Sequence, residues 1–172
     1  MASQFLSRLA FVARGLLRHL VRQWSGYLVV GALAVWSYLH YRIGVNVSGS
    51  LPGHVYLIEL DMPPTRVGQL VAFTWQRNAF YRPERLFIKQ VRGVPGQCVT
   101  RVGRQVFVDG RPQGTAKPAS RQGIPLEPIA PGIIPCGYLY VGAPHPDSLD
   151  SRYRITGLVG PERIVGRAYE LF

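Results

Sequence analysis

The sequence predicts a mainly β domain that follows an N-terminal helical region. Beyond Arg42, short runs rich in Val, Ile, Phe and Tyr are separated by Pro and Gly, a pattern typical of strands and turns. Before that residue, the chain has helical periodicity and then a long apolar segment. With 172 residues and 47% hydrophobic content, the chain can form one domain of normal size and an appendage.

Residues 1–23 are expected to form a cytoplasmic, basic amphipathic helix. Apolar side chains recur at near-helical spacing on one face, and arginines step by four along another at Arg14, Arg18 and Arg22. A helix of this kind can lie on the anionic inner leaflet of a membrane, so the lipid bilayer is an expected partner.

Residues 24–43 are expected to form a single transmembrane helix. About twenty almost wholly apolar residues span about 30 Å, the thickness of a hydrocarbon core. The arginines before the segment are expected to place the N-terminus in the cytoplasm and residues 44–172 across the membrane. Two alternatives stay open. One is a cleaved secretory signal, because Ala32-Leu33-Ala34 resembles a cleavage site, and the other is a buried helix of a soluble protein.

Strands and turns are expected to alternate through the rest of the chain. The strands lie at about Val55–Leu60, Gln69–Thr74, Leu86–Val94, Gln97–Arg101, Gln105–Val108, Tyr138–Gly142 and Ile164–Leu171. Turns are expected at Met62-Pro63-Pro64, Val94-Pro95-Gly96 and Asp109-Gly110, the last as the tip of a hairpin. Residues 111–135 contain six prolines and are predicted to form an extended surface loop or part of a substrate groove.

The net charge of +11 is unevenly placed along the chain. The first 42 residues hold five arginines and no acidic residue, so much of the basicity belongs to the N-terminal region. A nucleic-acid partner is therefore not expected. The sequence has neither a zinc-ligand pattern nor a Gly-rich phosphate loop, and neither a cofactor nor a metal is expected.

The candidate nucleophile lies in residues 46–56, where Ser48 and Ser50 bracket a glycine ahead of an apolar run. A serine hydroxyl can be held on a tight turn at the start of a strand. The same residues are also ordinary turn formers, so a reactive serine needs a partner elsewhere in the chain.

Lys89 is the candidate partner. The chain has 20 Lys plus Arg, and only Lys89 and Lys117 are lysines. Arginine stays protonated in proteins, whereas a lysine in an apolar site can lose its proton and act as a base. The neighbours Phe87, Ile88 and Val91 could supply such a site. The alternative is a strand lysine whose ammonium reaches water.

A third polar stretch runs from His145 to Tyr153. In it, Asp150 and Arg152 could form an ion pair that fixes a loop, and Ser148 could offer a hydroxyl to a nearby amine. The alternative is a polar loop with a surface salt bridge of little energetic value.

Together, the three stretches resemble the signal peptidase I family of serine–lysine peptidases over about residues 46–168. The resemblance implies a β domain of coiled antiparallel sheets, with Ser50 as nucleophile and Lys89 as general base. It also implies that Ser48 and the backbone amide of Ser50 form the oxyanion hole. In support of the site, Ser148 would hydrogen-bond the lysine, and Asp150 and Arg152 would form a structural pair.

The flanking residues are more similar to the conjugative-transfer peptidases of the TraF type. Here Leu51-Pro52-Gly53 follows Ser50, and His145-Pro146-Asp147 precedes Ser148, unlike the Ser-Met and Gly-Asp-Asn-Arg patterns of general signal peptidases. The resemblance implies an inner-membrane enzyme of a conjugation or type IV secretion system. Its substrate would be the pilin or another leader-bearing precursor, and it could also join the ends of the trimmed pilin.

Other functions stay open at this point. One is a general type I signal peptidase for secreted proteins, and another is a non-catalytic periplasmic β module of a conjugation or secretion channel. A Ser-His-Asp enzyme would use Ser50 with His54 or His145 and with Asp147 or Asp150.

The two cysteines, Cys98 and Cys136, could form a disulfide in an oxidising periplasm. Neither has a nearby motif that would support a catalytic thiol.

Overall fold

The computed structural model describes residues 2–46, 49–76 and 85–172 of the chain. Two compact units divide between His40 and Tyr41. The first is an α-helix and the second is built from strands, so the mainly β class is confirmed.

The first unit is a single helix, α1 (Ala2–His40). One helix thus runs through the expected amphipathic segment and most of the expected apolar segment. Among the residues described, no helix combines the length and the apolar character that crossing a membrane requires. The expected transmembrane helix over 24–43 is therefore not supported. The aliphatic run 28–35 is short, and the Trp, Tyr, Ser, Gly and His residues on either side of it lower the mean hydropathy.

The described residues of the second unit form ten strands and one short 3₁₀ helix, which spans Pro161–Arg163. The strands are β1 (Tyr41–Val45), β2 (Val55–Leu60), β3 (Leu70–Thr74), β4 (Leu86–Gly93), β5 (Cys98–Val102), β6 (Gln105–Val108), β7 (Arg111–Thr115), β8 (Gly132–Ile133), β9 (Tyr140–Gly142) and β10 (Ile164–Glu170). They form a six-stranded sheet in the order β1-β2-β10-β3-β4-β9 and a four-stranded sheet in the order β7-β6-β5-β8. The paired strands of both sheets are antiparallel.

The six-stranded sheet curls so that strands distant in its order come into contact. Three strands separate β1 from β4 in the sheet. A Cβ added at Gly44 on β1 would nevertheless lie 3.2 Å from Ile88 Cδ1 on β4 and 3.1 Å from Ile58 Cδ1 on β2. The absence of a side chain at Gly44 permits this close approach. The curl brings the β1–β2 loop towards β4, which carries Lys89.

The largest hydrophobic cluster lies against the β3-β4-β9 end of the six-stranded sheet. Its buried members include Val71 and Phe73 of β3, Val91 of β4 and Val141 of β9. A second cluster joins the two sheets, because Tyr140 of β9 packs with side chains of β5 and β6. Val71 and Phe73 of β3 enter the first cluster, whereas Ala72 between them packs in a different one, as the period of two requires.

Several expected strands are confirmed with small changes at their ends. The strands at 55–60 and 105–108 have the expected bounds, and the hairpin tip at Asp109-Gly110 joins β6 to β7. Both tip residues have positive φ, 47° and 74°, which matches the twist of a tight two-residue hairpin.

Three strands were not expected from the sequence. β1 lies partly in the segment expected to be helical until residue 43, and β7 and β8 lie in the segment 111–135 expected to be a loop. Pro112 discouraged a strand assignment because proline lacks a backbone N–H. It is tolerated in β7 because that strand is at the edge of its sheet.

Candidate active site

Ser50 lies in the loop between β1 and β2. The side chain of Asn46, just after β1, donates hydrogen bonds from Nδ2 to the carbonyl oxygens of Leu51, at 3.2 Å, and Gly53, at 3.1 Å. Its backbone N–H also donates to the carbonyl of His54 at 2.8 Å. Leu51 is buried in a cluster with Tyr56 and Ala143. The turn that follows Ser50 is therefore fixed by hydrogen bonds and by an apolar anchor.

Lys89 lies near the middle of β4, opposite Val71 of β3. Its side chain is only 3% exposed. The Nζ atom is 2.9 Å from Ser50 Oγ and 2.8 Å from Ser148 Oγ. One amine thus joins two hydroxyl groups that are 39 and 59 residues away from it in the sequence.

Burial lowers the pKa of Lys89 from 10.5 to about 8. The negative charge of Asp150 raises this pKa and the positive charge of Arg152 lowers it, but both effects are smaller than that of desolvation. An amine with this pKa can be neutral near physiological pH. It can therefore accept a proton from a neighbouring hydroxyl.

Ser148 is carried by the segment that follows β9, and a buried ion pair fixes this segment. Arg152 Nε is 2.8 Å from Asp150 Oδ1, and Arg152 Nη2 is 3.0 Å from Asp150 Oδ2. The two side chains are 7% and 1% exposed. Nη2 also donates to the carbonyl oxygen of Ser148 at 3.1 Å, so the pair is attached directly to the residue that contacts Lys89.

Two further residues position the site, and their sequence context did not indicate this. Ser151 Oγ accepts a hydrogen bond from the Val141 amide at 2.9 Å and donates to the Gly157 carbonyl at 2.7 Å. It thereby attaches the Asp150 loop to β9. Asn46 fixes the turn beside Ser50. Asn and Ser are common in loops for purely local reasons, so neither carried a distinguishing signal in the sequence.

The structure brings Ser50, Lys89, Ser148, Asp150 and Arg152 together. Ser48, expected in the oxyanion hole, lies outside the described residues.

The residues of the alternative Ser-His-Asp site have other surroundings. His54 and His145 are exposed. Asp150 is paired with Arg152, and Asp147 is paired with Lys117 and Arg121. Hydrogen bonds from these two cations lower the pKa of Asp147 to about 2. Because both carboxylates bind cations and Ser50 contacts a buried lysine, the geometry favours a serine–lysine site.

Cys98 and Cys136 are both free and exposed, so the suggested disulfide is not present. The strand register gives the reason. Cys98 of β5 lies opposite Ile133 of β8, and Cys136 is three residues further along the chain.

Among the residues that the structure describes, no group of three or more His, Cys, Asp or Glu side chains is placed to hold a metal ion.

The arrangement is suited to covalent catalysis. A serine hydroxyl, a buried amine with a lowered pKa and a second hydroxyl that orients the amine form a connected set. The serine can act as a nucleophile when the neutral amine takes its proton. The buried Asp150–Arg152 ion pair fixes the loop that carries the second hydroxyl, on Ser148.

Comparisons with known proteins agree with this geometry. A family model described as signal peptidase, peptidase S26, matches residues 17–172. A probable conjugal transfer protein TraF of Sinorhizobium fredii is 33% identical over 159 residues, which cover 83% of this chain and 82% of the relative. A conjugal transfer protein TraF of Agrobacterium fabrum is 28% identical over 165 residues, covering 86% of this chain and 91% of the relative.

Proposed function

Because the chain belongs to the signal peptidase family, peptidase S26, we propose that it is a serine endopeptidase with Ser50 as nucleophile and Lys89 as general base. Its reaction is the removal of a leader or terminal peptide from an exported precursor. The observation that supports this most strongly is the 2.9 Å contact between Ser50 Oγ and the amine of buried Lys89.

The first half of the reaction forms an acyl-enzyme. In its ammonium form Lys89 donates to both serine hydroxyls. Once neutral, it accepts the Ser50 proton while still donating to Ser148. Ser50 Oγ then attacks the scissile carbonyl carbon and its proton passes to Lys89 Nζ. When the tetrahedral intermediate collapses, the C–N bond breaks and the leaving amine takes that proton from Lys89.

The developing oxyanion needs hydrogen-bond donors. The Ser48 hydroxyl and the Ser50 backbone amide are the proposed donors, on the basis of the resemblance to serine–lysine peptidases. Donors of this kind stabilise charge that develops only in the transition state, so they accelerate the chemical step.

The second half of the reaction resolves the acyl-enzyme. Attack by water, with Lys89 again as base, gives a hydrolysed product and restores Ser50. Attack by an amine of the substrate itself would instead give a cyclic peptide from the same intermediate. Cyclisation is an extension of the proposal that rests on the family resemblance alone.

The proposed setting is conjugative transfer, with a pilin as the precursor. The names of the two relatives support this setting, since both are conjugal transfer proteins. The domain from Tyr41 onwards would act in the periplasm on a precursor exported across the inner membrane.

The proposal can be tested by the intact mass of the cognate pilin precursor after co-expression with wild-type chain or with Ser50→Ala. We expect loss of a leader or terminal peptide only with the wild-type chain. A further loss of one water from the trimmed product would indicate cyclisation. The same trimmed mass with both chains would contradict the role of Ser50. An unchanged precursor with both would favour a non-catalytic β module.

A further inference from the structure

A cavity of about 570 Å³ adjoins the loop that carries Ser148. Among the residues that the structure describes, four basic ones line it, Arg92, Arg104, Lys117 and Arg152, and no acidic one does. Ala143, which also lines the cavity, packs in the same buried cluster as Leu51, the residue after Ser50. The cavity is therefore close to the candidate active site, although neither Ser50 nor Lys89 lines it.

Arg152 lines the cavity and has a guanidinium nitrogen without a hydrogen-bond partner among the described residues. Its Nε and Nη2 atoms bind Asp150 and nearby carbonyl groups. Nη1 makes no hydrogen bond within the described part of the chain. It lies beside Gly114, where an added Cβ would be only 3.2 Å away. Gly114, with φ of 107°, thus leaves space in front of a buried guanidinium.

Arg92 is the second available cation. Its stem lies over Gly142 of β9, since a Cβ added at Gly142 would be 3.1 Å from Arg92 Cγ. The Nε atom is buried and has no hydrogen-bond partner in the described residues. A buried N–H without a partner is costly, so a ligand that accepts its hydrogen bond is favoured.

The other two cations are already engaged. Lys117 pairs with Asp147. Arg104 donates to the backbone carbonyls of Ala116, Lys117 and Leu126. Arg92 and Arg152 differ from them in two observations: Arg92 has a buried Nε without a partner in the described residues, and Arg152 has Nη1 beside the space left by Gly114. These two cations are therefore placed to bind a ligand.

The wall of the cavity also has an acceptor. Gln113 Oε1 is buried and has no hydrogen-bond partner among the described residues. A peptide residue with a carboxylate matches this set, because its carboxylate accepts from the guanidinium groups and its backbone N–H can donate to Gln113. Guanidinium and carboxylate groups form strong, geometrically specific pairs.

We propose that this cavity binds a carboxylate of the peptide substrate through Arg92 and Arg152. The inference rests on the proposed peptidase function and adds a specificity determinant to it. An acidic side chain and a free C-terminal carboxyl group share the required chemistry. In either case the substrate is recognised away from its scissile bond, and neutral peptides bind less tightly.

The test measures binding to the full-length Ser50→Ala chain, so that cleavage does not contribute. The probes are a short acetylated and amidated peptide with one Glu, its Gln counterpart, and a neutral peptide with a free C-terminal carboxylate. Binding is followed by NMR through the Arg92 Nε–H and Gly114 amide resonances. We expect saturable shifts with the Glu peptide or the free-carboxylate peptide, and the stronger of the two identifies the source.

The Gln peptide, which has no carboxylate, is expected to bind about tenfold more weakly than the stronger of the two carboxylate peptides, as for the loss of one charge-assisted hydrogen bond. Arg92→Gln should remove this difference. Arg101→Gln, a change at an exposed arginine of β5 that does not line the cavity, should preserve it. If the chain with Ser50→Ala as its single change binds all three peptides with equal affinity, or if the shifts do not saturate, the inference is overturned whatever the other variants do.

Failure of this inference can be told apart from failure of the proposed function. Acylation of wild-type Ser50 by a serine-directed probe, together with equal binding of all three peptides, would contradict only the carboxylate site. Selective binding of either carboxylate peptide, when the probe does not acylate wild-type Ser50, would contradict only the peptidase mechanism.

Discussion

Lys89 is held in a place where its positive charge is unfavourable. The change in its pKa from 10.5 to about 8 means that the site disfavours the charged amine, relative to a lysine in water, by about 3 kcal/mol. At pH 7 about a tenth of the molecules would then carry a neutral Lys89, whereas an ordinary lysine is almost wholly charged. An arginine at this position would keep its charge at any physiological pH.

The pH dependence of peptide cleavage follows from this lowered pKa. Only the neutral form of Lys89 can accept the Ser50 proton, and the neutral fraction increases as pH rises through about 8. We expect kcat/KM to increase about tenfold per pH unit below about pH 7 and to level off above about pH 9. The measurement is kcat/KM between about pH 6 and pH 10. A flat profile, or an increase centred near the ordinary lysine pKa, would contradict a buried catalytic amine.

Single residues differ in how far the sequence could predict their roles. Lys89 was identifiable because lysine is rare in a chain that otherwise uses arginine. The roles of Asn46 and Ser151 depend on tertiary hydrogen bonds to the Ser50 turn and to β9. No composition or spacing rule gives those partners, because both residue types are equally common in loops without such contacts.

At the scale of elements, the segment from β9 to the Asp150–Arg152 pair determines where Ser148 lies. Asp150 accepts hydrogen bonds from the Ala143 and Arg152 amides in addition to the Arg152 side chain. A buried charge with this many partners fixes one conformation of its loop. Ser151 attaches the same loop to the sheet through the Val141 amide.

Removal of the Asp150 carboxylate should therefore destabilise the domain. Asp150→Ala leaves Arg152 buried without its counter-ion, and we expect the free energy of unfolding to fall by about 3–5 kcal/mol. Urea denaturation followed by tryptophan fluorescence measures this change. The matched control is Glu127→Ala, because Glu127 forms an exposed pair with Arg154. There the expected cost is below about 1 kcal/mol. Similar costs for the two variants would show that the buried pair has no special structural role.

The strands show why local patterns predict some elements and not others. β2 and β6 have the expected bounds because apolar residues form short runs between turn residues there. β7 contains Pro and Gly, and only its edge position makes a strand possible. β1 directly follows α1, and no Gly or Pro lies at the junction between His40 and Tyr41. The sequence therefore had no local signal for the end of the helix and the start of the strand.

At the scale of the whole molecule, the curled six-stranded sheet assembles the site from distant parts of the chain. The loop after β1, the middle of β4 and the loop after β9 meet at the Lys89 amine. Sequence patterns predicted seven of the described strands but not the curl, because the curl depends on contacts such as Gly44 against Ile88. The resemblance to serine–lysine peptidases supplied the expectation that these three stretches meet.

The central claim is that neutral Lys89 activates Ser50. It is tested most directly by the rate at which a serine-directed acylating probe modifies the chain at about pH 8, followed by intact mass and peptide mapping. Lys89→Arg keeps the charge but cannot act as the base. We expect one modification at Ser50 in the wild-type chain, none in Ser50→Ala, and acylation at least about a hundredfold slower in Lys89→Arg. Modification of a different residue, or an unchanged rate in Lys89→Arg, would contradict the serine–lysine mechanism.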